Sequence, residues 1–209
     1  MMSNQKITII DYGMGNIWSV VNAFRYLGCE PIIANDPDLV ADAEALLLPG
    51  VGSFRKAMLA LNDSGLDQAI LHAVQTNGRK ILGICLGMQL LGTSGSEDGE
   101  TVGLGLIPAS VGRFSSQKVG GAKIPHVGFN IVHSKPESRL FRGLPGSADF
   151  YFVHSYRMLA YGLGGLVATC NYGVDFLAAY EDANIFATQF HPEKSQSNGL
   201  VLLKNFLAQ

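Results

Sequence analysis

The sequence predicts an α/β fold built on a mainly parallel sheet. Short apolar, β-branched runs alternate with segments of helical periodicity through the first half of the chain. Three of those runs end in glycine-containing turns, "DYGMGN", "PGVG" and "CLG". The second half changes character. "VGFNIVH", "FYFVHSY", "LVATCNYG", "FLAAYE" and "IFATQF" follow one another across short turns, which predicts added strands rather than further strand–helix units.

Taken in order, "KITII" (Lys6–Ile10) reads as a first buried strand. "IWSVVNAFRYLG" sets Ile17, Val20, Val21, Phe24 and Leu27 at helical spacing and stops at Gly28. "PIIA" is a second strand, and "ALLLPG" (Ala45–Gly50) a third, closed by Pro-Gly. Helical stretches follow around Phe54–Leu61 and Leu66–Thr76. "KILGI" is a fourth strand, and "CLGMQLL" opens the next helix. "EDAN" predicts a hairpin between the last two strands. A final helix covers roughly Asn198–Leu207, with Leu200, Leu203 and Phe206 inward. No repeat, low-complexity tract or linker divides the chain, and 209 residues suffice for one sizeable core. The expectation is a single domain, residues 1–209.

Composition narrows the function. Hydrophobic residues make up 47% and charged residues 15%, with a formal net charge of -2. No basic tract stands out, which argues against nucleic acid or an anionic membrane as partner. The apolar run after Lys6 is too short for a signal-peptide core, and none approaches the ~18 residues of a membrane span. Cys29, Cys85 and Cys170 are too scattered for a disulfide framework or a zinc site. The expectation is a cytoplasmic protein with reduced thiols, no metal and no cofactor.

The stretch "KILGICLGMQLLG" carries the chemistry. Functional groups in open α/β sheets gather beyond the carboxyl ends of the strands, so the three glycine turns should crowd at one edge. "GICLG" fits a nucleophile elbow with cysteine in place of serine: a sharp strand-to-helix turn flanked by small residues. The Leu86 N–H would then point at a developing oxyanion, and the helix start favours thiolate. On this pattern alone, a buried structural cysteine is an equal alternative.

A catalytic thiol needs a base. His191 stands in "IFATQFHPEKS", where a strand delivers it to a loop and Pro192 ends the ladder. Glu193 is close enough to hold the ring's tautomer. By itself that pattern reads more readily as a strand-end histidine beside a solvated glutamate. His72 reads as solvated on a polar helix face, and His126, His133 and His154 as structural groups on or near strands.

These elements stand among further blocks, "IIDYGMGNIWSV", "LLLPGVGSF", "GLGLIPASVGRF", "KIPHVGFN", "FYFVHSY" and "HPEKSQSNGLVLLKNFL". Over almost its whole length the chain resembles the class I glutamine amidotransferases. It is most similar to those that serve as glutaminase subunits of imidazole glycerol phosphate synthases, in histidine biosynthesis. The resemblance implies a flavodoxin-like three-layer α/β/α core with added antiparallel strands. It implies Cys85, His191 and Glu193 as a triad acting on glutamine. The oxyanion donors would be Leu86 N–H and an N–H of "PGVG", at Val51 or Gly52. In this subfamily that loop must reorient before its donor points correctly, and flanking glycines make a peptide flip sterically cheap. Gln89, one helical turn past Cys85, and Glu97 would bind glutamine, with the backbone of Ser155 and Tyr156 at its amino-acid end.

The resemblance also implies a partner. Nothing in the chain looks able to use ammonia, and "DYGMGN" is not G-x-G-x-x-G. In the resembled subfamily a (β/α)8-barrel cyclase completes a heterodimer, receives the ammonia and consumes an aminoimidazole-carboxamide nucleotide. Asn16 and Lys194 match positions that face it. An alternative is a paralogous glutaminase that supplies a sugar-modifying amidotransferase of surface-polysaccharide synthesis. "KIPHVGFN" has Val127 and Phe129 where methionine and tryptophan are expected, and "SFRKAM" differs from the acidic or glycine-rich version expected after "PGVG". A non-catalytic regulatory protein and a free-standing hydrolase of the same fold are further alternatives.

Overall fold

The computed structural model describes residues 6–159 and 162–209; positions 1–5, part of the stretch read above for a signal core, lie outside it. The first half runs β1 (Thr8–Ile10), α1 (Ile17–Tyr26), β2 (Ile32–Ala34), α2 (Pro37–Ala41), β3 (Ala45–Leu48), α3 (Phe54–Asp63), α4 (Leu66–Leu71), β4 (Lys80–Ile84) and α5 (Leu86–Leu90). The second half runs β5 (Ser94–Gly95), β6 (Thr101–Val102), β7 (Ser110–Arg113), β8 (His126–His133), β9 (Ser147–His154), β10 (Tyr156–Leu159), β11 (Leu166–Asn171), β12 (Asp175–Asp182), β13 (Ile185–Thr188) and α6 (Gln196–Leu207).

Nine strands form the main sheet in the order β2-β1-β3-β4-β13-β12-β11-β8-β9. The run β2-β1-β3-β4-β13 is parallel, and the remaining strands extend it antiparallel. The parallel part has the flavodoxin-like order, which reverses between β1 and β3. Strand alternation sorts the core into two layers. Ile10, Leu46 and Leu48 pack with Phe54, Leu61, Ile70 and Met88 of α3, α4 and α5 on one face. Ile9, Leu47 and Leu82 pack with Phe24 of α1 and Leu203 and Phe206 of α6 on the other. Strands buried on both faces read as continuous apolar runs, which is why "ALLL" was legible.

Four features differ from the sequence expectation. Strands β10-β7-β5-β6 form a separate small sheet. Its two-residue strands β5 and β6 are too short to show a period. "FYFVHSY" is not one strand: the chain leaves the large sheet after His154 and enters the small one at Tyr156, turning at Ser155. Helix α2 has a readable start, with the Asp36 side chain accepting from Asp38 N at 2.9 Å and Pro37 in the first turn. It is only five residues long, too short for periodicity to reveal. The stretch predicted as helix to Thr76 ends in a π-turn from His72 to Thr76. The "EDAN" hairpin joins β12 to β13, with Ala183 at φ +46°.

Candidate active site

Cys85 sits between β4 and α5 with φ +55° and ψ -108°, a conformation strained for any residue with a side chain. Its neighbours make the turn feasible. A Cβ on Gly83 would lie 2.8 Å from Met88 N, and one on Gly87 would lie 1.8 Å from the Leu48 carbonyl oxygen. The two glycines therefore let α5 lie directly on β4 and β3. Cys85 N donates to Thr188 O at 2.7 Å, locking the elbow to the end of β13.

That same strand end delivers His191. Its N–H donates to Tyr151 O at 2.9 Å. The 3-10 turn Pro192–Lys194 folds Glu193 back onto the ring, with Nδ1 2.8 Å from Oε1. The two side chains are only 4% and 3% exposed. Ser195 Oγ braces the turn, donating to His191 O at 2.6 Å and accepting from Tyr151 N at 2.9 Å. With Nδ1 committed to Glu193, Nε2 is left for the thiol. It is buried without a well-formed hydrogen bond, a contact of the kind that tightens when substrate binds. Burial of the ring acts to lower its pKa, but attraction to Cys85 and to Glu193 outweighs this and raises it to about 10. The imidazole is therefore set up to accept a proton.

Every residue expected in the oxyanion hole or around glutamine lines one cavity of about 210 Å³. Val51, Gly52, Leu86, Gln89, Glu97, Ser155 and Tyr156 surround Cys85 there. Two larger cavities lie away from the triad, one ringed by Lys6, Arg79 and Arg139 at the opposite ends of the strands. Chemistry, not size, picks out the site.

The second oxyanion loop is anchored at its start. Tyr12 Oη donates to Pro49 O at 2.8 Å, and a Cβ on Gly50 would lie 2.4 Å from that hydroxyl. Beyond the anchor, Val51 is half-exposed and Gly52 takes φ +122°. Tyr12 was missed at the sequence level, where it read only as part of a turn. Burial, and then Cys85, raise the pKa of its hydroxyl.

Glu97 reaches the cavity from the turn between β5 and β6. Its Oε2 accepts from Phe54 N at 3.1 Å, capping α3 where Ser53 makes no side-chain cap bond. Desolvation raises its pKa, opposed by that bond. Gln89 Nε2 donates to Tyr156 O at 2.9 Å and to Gln189 Oε1 at 3.0 Å, which leaves its own Oε1 for a ligand. Gln189 was also missed, although it stands two residues before His191.

His126 and His154 form a buried pair, Nδ1 to Nε2 at 3.0 Å, with His154 Nδ1 donating to Tyr156 O at 2.8 Å. Burial pushes their pKa values down to about 4 and about 3. In the unfolded chain both take up protons near the usual histidine value of about 6.5. Stability from the neutral pair is therefore complete above that pH and is lost as pH falls toward the folded values. The expected loss is up to about 2 kcal/mol per histidine by pH 5. Urea midpoints at pH 7.5 and 5 check this, and equal midpoints would reject the neutral pair.

The two positions expected to face a partner stand outside the cavity. Asn16 caps α1, accepting from Ser19 N at 3.4 Å. Lys194 Nζ lies 6.0 Å from the centre of the Tyr151 ring. Among the described residues, no three His, Cys, Asp or Glu are grouped to hold a metal ion, and no helix is long and apolar enough to cross a membrane.

Comparison with known proteins accords with this geometry. Residues 8–209 match the family "Glutamine amidotransferase class-I". A Geobacter sulfurreducens protein named imidazole glycerol phosphate synthase subunit HisH is 47% identical over 204 residues, covering 96% of this chain and 97% of that one. An Arabidopsis thaliana protein named imidazole glycerol phosphate synthase hisHF, chloroplastic, is 41% identical over 207 residues, or 98% of this chain but 34% of its own. Among solved structures, a putative GMP synthase protein from Thermoplasma acidophilum superposes with TM-score 0.73 at 22% identity, covering 100% of this chain and 94% of that one, a likeness of fold. With a family match from Thr8 to the last residue and near-full-length relatives this similar, the chain belongs to the class-I glutamine amidotransferases, in the family of the imidazole glycerol phosphate synthase HisH subunits.

Proposed function

We propose that this chain, as one domain in the cytoplasm, hydrolyses glutamine through a Cys85 thioester and passes ammonia to a cyclase subunit docked over the cavity. The observation that carries this is the buried His191–Glu193 pair set beside a cysteine on a strained elbow, with every glutamine-binding candidate around one cavity. Sulfur attacks the carboxamide carbon, and the C–S bond forms as charge moves onto oxygen. Leu86 N–H and an N–H at Val51 or Gly52 receive that charge. The C–N bond then breaks as His191 gives its proton to nitrogen, and ammonia leaves. Water, deprotonated by His191, attacks the thioester; glutamate departs and the thiol is restored. Glu193 orients the ring throughout. Glu97 suits the α-ammonium of glutamine, and the free Gln89 Oε1 suits a donor on the substrate.

The acceptor's seat is supported by an apolar face beside this cavity. Val127, Phe129 and Ile131 on β8 are exposed and stand opposite Val153, Tyr151 and Asp149 on β9, and Trp18 and Val51 are exposed too. Exposed apolar side chains alternating on one face of β8, with Val153 and Tyr151 opposite on β9, are of the kind that protein-binding surfaces present. Val127 and Phe129, the departures from the expected motif, keep its apolar character. The matched region is a third of the Arabidopsis protein, so in that relative the same unit travels with a further module. The relatives' names favour the histidine-pathway cyclase over a sugar-modifying partner.

Glutamate release tests the reading, measured on the chain alone, with the cyclase, and with cyclase plus its nucleotide. Strong stimulation by the liganded cyclase is expected. Equal rates in all three would reject the coupling. Phe129→Asp is expected to weaken the complex about 30-fold, as loss of a central aromatic anchor does, while Cys85 still reacts with a thiol reagent. Unchanged affinity would move the interface elsewhere.

A further inference from the structure

The triad leaves one buried polar group at the nucleophile without a task. Gln189 is fully buried. The parallel register of β4 and β13 pairs Ile84 with Thr188, so the next residues, Cys85 and Gln189, become neighbours beyond the sheet edge. The orientation of its amide follows from the groups around it. The Tyr156 carbonyl can only accept, so Gln89 turns its amide nitrogen toward it at 2.9 Å. The same nitrogen donates to Gln189 Oε1 at 3.0 Å. The Gln189 nitrogen must then face the other way, and there it meets Cys85 Sγ at 3.7 Å. His154 Nδ1 reaches the same Tyr156 carbonyl at 2.8 Å and helps to hold that anchor in place.

We propose that Gln189 is a further catalytic residue, whose amide N–H is the fixed donor to the Cys85 sulfur and stabilises its negative charge in both halves of the reaction. Before attack it supports the sulfur anion while His191 holds the proton. When the thioester breaks down, it receives the charge that returns to sulfur as the C–S bond opens. The kinetic arm of the test rests on the glutaminase reading above. The direction of the amide and its effect on sulfur do not.

A hydrogen bond to a charged group changes the anion's population by about ten- to a hundredfold. Roughly half of that advantage is returned as lower intrinsic nucleophilicity. The net effect expected on reactivity is therefore about three- to tenfold.

Gln189→Glu and Gln189→Met separate the roles. The glutamate variant keeps the shape and the acceptor for Gln89 but sets an anion beside sulfur. The methionine variant removes donor and acceptor together. Two quantities are measured: iodoacetamide labelling of the Cys85 peptide in the intact chain, followed by mass spectrometry, and glutamine kinetics with liganded cyclase. Both variants are expected to label at least threefold more slowly. Gln189→Glu is expected to lose kcat by a similar factor while KM for glutamine stays within twofold. A Gln189→Glu variant that labels and turns over like the parent, or loses only KM, overturns the proposal. If Gln189→Met does not fold, Gln189→Glu alone decides. If the parent releases no glutamate with cyclase while the labelling difference holds, the glutaminase reading falls and the donor role stands.

Discussion

Replacing Cys85 with alanine is expected to lower glutamate release by at least about 10⁴-fold while the cyclase complex still forms. The Cys85 sulfur stands on the elbow with the His191–Glu193 pair beside it, the arrangement that activates a nucleophile, so its loss removes the covalent route. Residues that act as one unit lose nearly everything when the nucleophile goes, and adding His191→Asn should cost little more. The change should also leave the elbow as strained as before, because alanine at φ +55° meets the same backbone conflict as cysteine. Cys85→Gly tests that point. It should be equally inactive yet more stable than Cys85→Ala by about 1–2 kcal/mol. Glutamate formation by coupled assay and unfolding in urea measure the two effects. Residual activity above a hundredth of the parent would mean another nucleophile, and equal stability of the two variants would mean an unstrained elbow.

What was legible in the sequence follows from how local each signal is. Cys85, His191 and Glu193 could be singled out because each stands in a short segment whose backbone fate is written locally: two glycines around the cysteine, a proline after the histidine. In the parallel half of the sheet, β1, β3 and β4 were readable because they are buried on both faces and read as unbroken apolar runs. Tyr12 and Gln189 were not readable. Tyr12 acts on Pro49, and Gln189 on Cys85 and Gln89, each through a contact that exists only once distant strands are in register. The corner at Ser155 was hidden for a different reason. Phe150 to Tyr156 keeps a strand-like composition straight through the point where the chain changes sheets. That corner sets the Tyr156 carbonyl, which in turn orients Gln89. The unreadable turn and the unreadable glutamine thus belong to one hydrogen-bonded chain leading to sulfur.

Gly87→Ala is expected to be strongly destabilising for a single added methyl, costing more than about 4 kcal/mol. Its φ is not in the left-handed region, so the penalty is steric rather than conformational. The new Cβ would stand 1.8 Å from the Leu48 carbonyl oxygen and 2.8 Å from its carbon, both backbone atoms of a central strand. No side-chain rotation relieves that contact. Either α5 lifts from β3, opening the layer that holds Met88 and Leu90, or β3 shifts and takes the oxyanion loop after Leu48 with it. Overpacking that a core absorbs usually costs about 1–3 kcal/mol, because side chains give way first. Here none can. Gly120→Ala is the matched control: φ is +62°, no atom lies within 4 Å of the added carbon, and only the left-handed penalty of about 1–2 kcal/mol applies. Urea unfolding of both variants, together with the rate at which Cys85 labels, measures the difference. If Gly87→Ala came within about 1 kcal/mol of the control, α5 would not need to lie directly against β3. The glycine after the nucleophile would then have no steric reason to be there. If the gap is as large as expected, the approach of α5 to β3 that aims Leu86 N–H at the oxyanion also supports a large share of the fold's stability. The elbow could then not be relaxed without losing both.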